Sequence, residues 1–278
     1  MKFKHLFFIL VAGFFAVSCS SDNDNTPSPS QSAAGTYKGY VIADSQYFKG
    51  NITQNETITI TANEDGAATV VYTSSSSNWG TSTISAAVVT ATTNGYSISG
   101  TGTSAMSMSG TTNSYDCTLT GTISADKSDV ELIFVLPDVM GGTTIKFCLG
   151  DAPDTMVIAG AYTGTIDMSV MGASQGNYDN IKVTIKAQED GNVEITLPPF
   201  GEGAMAFTED VVMKDIKLTV EDGTYTLSGD VNTTSATTRP IEVTGSLAGT
   251  IKDGKADIIF SLIPGAMPMP LVLTFASK

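Results

Sequence analysis

Apolar residues recur at every second position through most of this chain. The beat is clearest in the last 120 residues: Tyr162, Gly164, Ile166, Met168, Val170, then Ile181, Val183, Ile185, then Val193, Ile195, Leu197. It resumes at Ile216, Leu218, Val220, at Tyr225 and Leu227, and at Ile241, Val243, Gly245, Leu247, Gly249, Ile251. It closes with Ile258, Phe260, Leu262 and Leu271, Leu273, Phe275. Thr, Ser, Lys, Asp and Glu fill most places between. A period of two predicts antiparallel strands with one buried and one wet face, and no stretch carries a helical period. Asp-Gly pairs punctuate the runs in "QEDGN" (188–192), "EDGT" (221–224) and "KDGK" (252–255), where Gly supplies the positive φ of tight hairpins. These acidic turns lack the ligand ladder of a calcium loop.

The pattern is written twice. "GTYKGY" at 35–40 returns as "GAYTGT" at 160–165, "ITIT" (58–61) returns as "VTIK" (183–186), and "EDG" (64–66) recurs at 189–191, all at the same spacing. "YSISG" (96–100) matches "YTLSG" (225–229), and "LTGTIS" (119–124) matches "LAGTIK" (247–252). This is a duplicated domain, too long to be a solenoid repeat and large enough to bury its own core. About eight strands per copy predict two tandem antiparallel up-and-down barrels, closed so that no edge is exposed. The expected bounds are 35–150 and 158–278. Tyr37 and Tyr162 are expected to plug one end of each barrel, and Tyr162 is also a candidate ligand contact.

The first 34 residues break the beat. Lys2 and Lys4 precede the apolar run "LFFILVAGFFAV" (6–17), which has the length of a signal-peptide core rather than of a membrane span. "AVSC" then ends in Cys19 and resembles the lipobox of bacterial lipoproteins. That resemblance implies cleavage after residue 18 and acylation of Cys19, with several acyl chains giving stable anchoring. Residues 19–34, rich in Ser, Asp, Asn and Pro, read as a disordered tether. The acids after Cys19 resemble an export tag. The expected location is therefore the outer membrane of a Gram-negative bacterium, surface-exposed, with a periplasm-facing anchor as the alternative.

Charge and rare residues narrow the chemistry. The formal net charge is −14, and loss of residues 1–18 makes it more negative. Counterion release onto phosphates cannot drive binding to such a surface, so nucleic acid is not an expected partner. The one histidine, His5, lies in the signal segment, which removes His-based catalysis and His-ligated metals from the mature chain. No cofactor or metal site is expected, and an enzyme is not expected. Cys117 falls in phase with Leu119 and Ile123, hence inward. Cys148 follows inward Phe147 and should face out, so the two are expected as free thiols in a monomer.

The pieces "GAYTGT", "GAMAFTEDVVMKDIKLTVEDGTYTLSG" and "VTGSLAGTIKDGKADIIFSL" resemble the calycin-like β-barrel domain of exported bacterial lipoproteins, and the first copy resembles it more loosely. The opening Gly-x-Tyr is similar to the Gly-x-Trp of lipocalins. The resemblance implies a lipocalin-like barrel serving as a binding module. Candidate ligand-lining residues are Met168, Met171, Met205, Met213, Met267 and Met269, because Met suits adaptable apolar surfaces. Trp79, in the polar segment "TSSSSNWGTSTIS", is a candidate glycan contact. Two readings remain open: a lipid-anchored carrier of a small hydrophobic ligand, and a surface interaction or glycan-binding protein with filled barrels.

Overall fold

The structure is a computed structural model that describes residues 26–76, 79–108, 110–202, 206–234 and 241–278. Cys19 and the signal segment lie outside the described residues. The period-two pattern becomes sixteen strands in two closed barrels. The first runs β1 (Gly35–Asp44), β2 (Asn51–Ala62), β3 (Ala68–Thr73), β4 (Thr81–Thr92), β5 (Gly95–Met108), β6 (Thr111–Ser124), β7 (Val130–Leu136) and β8 (Thr143–Leu149). Each strand pairs with the next, and β8 returns to β1. The second runs β9 (Gly160–Val170), β10 (Ala173–Ala187), β11 (Val193–Leu197), β12 (Val211–Glu221), β13 (Thr224–Thr234), β14 (Glu242–Lys252), β15 (Lys255–Pro264) and β16 (Leu271–Ser277), with β16 closing on β9.

Each barrel wraps its own core. Ile58, Tyr72, Ile84, Leu132, Phe134 and Phe147 are fully buried in the first. Ile166, Val183, Ile195, Ile258, Phe260 and Phe275 are fully buried in the second. The alternation therefore reports burial directly, except at bulges and strand ends: Val220, near the end of β12, and Ile241, just before β14, keep the beat but are exposed.

Closure depends on a glycine in each copy. Gly39 sits where β1 meets β8, and a Cβ there would lie 1.9 Å from the Cys148 carbonyl oxygen. Its counterpart Gly164 would place a Cβ 2.1 Å from the Ala276 oxygen. Only a residue without a side chain lets the first and last strands approach closely enough to pair.

The tether is shorter than the sequence suggests. Residues Pro29–Ala33 form a short helix, α1, opened by a capping box between Ser28 and Gln31. Ser30 and Ala33 are buried against the first barrel. The segment expected to be disordered up to residue 34 is thus ordered from residue 29, since Ala33 finds apolar cover that composition cannot reveal. A second short helix, α2 (Asp154–Val157), precedes the second barrel, and the following Ile158 is buried in its core.

These two helices explain the repeated Gly-x-Tyr-x-Gly. The Tyr37 hydroxyl donates to the Ala33 carbonyl at 2.6 Å, and the Tyr162 hydroxyl donates to the Ile158 carbonyl at 2.8 Å. In each copy a half-turn of chain is drawn over the barrel end and held by a tyrosine four residues on. Tyr162→Phe keeps the ring and removes this bond. It should lower stability by about 1 kcal/mol, read as a fall in the second barrel's unfolding midpoint, whereas an unchanged midpoint would mean the bond does not hold the plug.

The cysteines sit as the register requires. Cys117 is buried beside Leu119, and its thiol is pushed up to about 11 by burial, with a Ser82 hydrogen bond working the other way. Cys148 is half-buried and outward, next to Tyr40 and the Lys146–Glu131 ion pair. Both thiols are free.

Candidate functional site: the open end of the second barrel

The tyrosine plugs occupy one end of each barrel, at the start of β1 and of β9. The opposite ends differ. In the first barrel the connection between β3 and β4 folds back over the opening. Trp79 is only 5% exposed, packs on Phe48 with ring centroids 5.7 Å apart, and donates its indole N–H to Thr53 Oγ1 at 3.3 Å. The expectation of a glycan contact at Trp79 is therefore corrected. Its ring is used as a lid, because burying an indole gains more than exposing it among serines.

The second barrel carries no tryptophan at this place. Val70 pairs with Ile84 in the first barrel as Ile195 pairs with Met213 in the second. Counting back five residues from Ile84 gives Trp79, and from Met213 gives Thr208. Where the first barrel has its lid, the second has a threonine and an apolar notch of about 300 Å³. Phe207, Val211, Val243, Pro264, Met267 and Leu271 form its walls, with Thr208 and Glu209 on the rim. One wall is stiffened by stacked Phe200 and Phe207, whose centroids lie 5.3 Å apart and whose backbones bond to each other in both directions. Tyr178 meets Phe200 edge-on at 5.4 Å. Below the notch the barrel is filled, so the site is a shallow pocket at the mouth rather than a hollow interior.

The methionine candidates do not converge. Met267 lines the notch and packs on the core. Met168 and Met213 are buried in the core and fill volume. Met171 is 78% exposed at a turn with φ of 51°, and Met269 is exposed beyond the rim. Met205 lies outside the described residues. Tyr162 is at the plugged end, away from the notch, and so is corrected from ligand contact to structural clamp. Sequence reasoning missed Phe207, Val211, Val243 and Leu271 as wall residues. Their signal was present only as the loss of a tryptophan between two otherwise parallel repeats.

One further feature escaped the sequence. Glu56 is fully buried, in phase with Ile58 and Ile60, where the second barrel has Ile181. Its carboxylate accepts the Ser75 hydroxyl at 2.7 Å and the Ser75 backbone N–H. The neighbouring Tyr72 hydroxyl is buried without a hydrogen-bond partner of good geometry, and burial together with the Glu56 charge pushes its pKa up. Among the described residues no group of three or more His, Cys, Asp or Glu could hold a metal ion.

A closed eight-stranded antiparallel barrel plugged at one end by a tyrosine-held turn defines a calycin-type domain, here in tandem, with the apolar mouth in the second copy. The chain belongs to the calycin-like β-barrel domain family, whose model matches residues 33–148 and again 158–278. It is similar to a crystal structure of a candidate outer membrane protein from Bacteroides fragilis, at 29% identity and TM-score 0.77, covering 91% of this chain and 100% of that one. A protein of unknown function from the DUF3598 family of Nostoc punctiforme covers 91% of this chain and 99% of its own at 11% identity, but its TM-score of 0.26 carries no argument. No curated protein matches the chain.

Proposed function

We propose that this protein is an exported, lipid-anchored binding protein whose second barrel holds a small, uncharged apolar molecule in its mouth. The carrying observation is the notch of about 300 Å³, walled by Phe, Val, Leu, Pro and Met, at the position where the first barrel is sealed by Trp79. Its volume is at the small end of ligand pockets. Glu209 on the rim disfavours carboxylates, and the apolar walls disfavour a charged group of either sign. The first barrel, filled and lidded, serves as a spacer between the anchor and the binding domain. The anchor is assigned to Cys19, and the location to the outer membrane, surface-facing. The lipobox-like sequence supports the anchor, the acids after Cys19 support the surface-facing side, and the similarity to the Bacteroides fragilis protein supports the outer membrane. No catalytic role is assigned: the only histidine, His5, lies in the signal segment.

Restoring the lid tests this reading. Thr208→Trp should seal the second barrel as Trp79 seals the first. The full chain should enhance the fluorescence of the uncharged apolar probe N-phenyl-1-naphthylamine, and Thr208→Trp should lose about tenfold in affinity with an unchanged melting temperature. Equal probe binding by both proteins, or none by either, would refute a ligand site at this mouth.

A further inference from the structure

The two barrels part company along one seam. In the first, β4 and β5 pair over 88–92 with 95–99, pass a bulge, and pair again over 81–83 with 103–105. In the second, β12 and β13 pair only over 217–221 with 224–228. Beyond that point β12 stays with β11, and β13 stays with β14 as far as Thr234. Residues 211–215 and 230–234 therefore flank each other without pairing, beyond Ile216 and Gly229, where the strands are still in contact: a Cβ on Gly229 would lie 3.4 Å from the Ile216 Cα. The gap opens on the outer face as a groove of about 990 Å³, bordered by Lys214, Asp215, Lys217, Gly229, Asp230 and Asn232.

The sequence supplies the cause. "YSISGTG" in the first copy aligns with "YTLSGDV" in the second, so Gly102 corresponds to Val231. A Cβ on Gly102 would lie 2.0 Å from the Thr83 carbonyl oxygen. The first barrel zips shut only because that side chain is missing. In the second barrel Val231 occupies the space, 97% buried, and β12 cannot close. Asp215, in a left-handed conformation with φ of 59°, bends β12 further away and donates its N–H to the Gln188 side chain at 2.9 Å.

A parted seam leaves two strand edges facing each other, each turning every second N–H and C=O into the gap. We propose that this seam is a docking groove for an extended segment of a partner protein, which adds a strand between β12 and β13. Five residues on each edge span about 17 Å, the length of a five-residue strand. Main-chain hydrogen bonds to both edges supply affinity in this mode. The chain's net charge of −14 favours a basic segment and disfavours a second copy of itself. Among the charged residues that line the groove, the carboxylates of Glu194, Asp215 and Asp230 outnumber the ammonium groups of Lys214 and Lys217, and exposed Asp215 and Asp230 on the two lips offer partners for lysine or arginine side chains. This groove runs along the barrel wall and meets the apolar mouth at Val211, which also walls the notch; protection at 230–234, which do not line the notch, distinguishes peptide binding here from ligand binding there.

Amide hydrogen exchange on the full chain provides that test. In the free protein, amides in 230–234 that face the seam should exchange faster than those at 103–105, which are paired. The hexapeptide acetyl-Lys-Thr-Val-Thr-Val-Lys-amide should slow exchange in both 211–215 and 230–234. A version with proline at its fourth position, unable to donate there, should bind about tenfold more weakly. Val231→Gly, which restores the residue of the first barrel, should close the seam, slow those amides without peptide, and abolish peptide protection. Slow exchange of 230–234 in the free wild type overturns the proposal even if the glycine variant fails to fold. So does protection by the peptide elsewhere only, an absence of protection at millimolar peptide, or a concentration-dependent dimer that protects the seam by itself.

Discussion

Gly164→Val is expected to lower the unfolding midpoint of the second barrel sharply while leaving the first barrel's unchanged. A Cβ at this position would meet the Ala276 oxygen at 2.1 Å, the Ala276 carbonyl carbon at 2.7 Å and the Ser277 Cα at 2.8 Å. All three are backbone atoms, so no flexible side chain can swing aside. The strain must be relieved by parting β9 from β16, and this contact is the one that closes the barrel. Overpacking of a tight site costs roughly 1–3 kcal/mol, and a backbone clash belongs at the top of that range. For a domain of this size that is on the order of 10 °C. Thr163→Val, on the exposed neighbouring position, is the control and should shift the midpoint by less than about 0.5 kcal/mol. Differential scanning calorimetry of the full chain reads both barrels together. A Gly164→Val protein that melts like the wild type would show that closure does not depend on this approach.

Alkali should unfold the first barrel before the second. Burial pushes Tyr37 up to about 12, with the nearby Tyr96 adding to it. Burial likewise pushes Tyr40 up to about 12, helped by Cys148 and Glu131. Tyr72 is raised as well, by burial and by Glu56. In the second barrel Tyr162 is raised, by burial and then Tyr225. A phenol whose folded pKa exceeds its unfolded value of 10 contributes stability that is complete below pH 10. That contribution is lost as pH rises toward the folded pKa, because the unfolded chain sheds the proton first. The Tyr37 shift is worth on the order of 2–3 kcal/mol, and that of Tyr40, on the outer face beside Cys148 and Glu131, is worth less because solvent screens it; together they remove a large share of a small domain's stability. Circular dichroism followed with tyrosinate absorbance should show loss of the first barrel between pH 10 and 12, ahead of the second. Tyr37→Phe and Tyr40→Phe should each move that transition to higher pH. Simultaneous loss of both barrels, or earlier loss of the second, would count against this ordering.

Much of the architecture could be read without coordinates because a two-residue beat has one physical meaning. Residues such as Val183, Val193, Ile258 and Phe275 had to share a face, and a duplicated set of eight such runs had to close twice or leave edges exposed. The inward turn of Cys117 and the outward turn of Cys148 follow from the same parity. The functional residues were less legible. The six methionines looked alike in sequence, yet Met168 and Met213 fill the core, Met267 lines the notch and Met171 stands in solvent. Their fates depend on where a strand ends and which neighbour covers it, and local composition carries neither.

Parity itself fails at bulges. Met213 and Ile216 both point inward although they lie three positions apart, because Asp215 takes a left-handed turn between them. Asn55 and Asn180 make the same turn at matching places in the two copies, putting Glu56 and Ile181 inside. Sequence by itself determined the strands, their number, the duplication and the charge, since each is a property of neighbours along the chain. Tertiary structure alone decided which end is plugged, that Trp79 is a lid while its counterpart Thr208 is not, and that Val231 holds a seam apart where Gly102 lets one close. Those outcomes turn on a carbonyl or a ring arriving from a distant strand, and steric exclusion of that kind is invisible until both partners are in place.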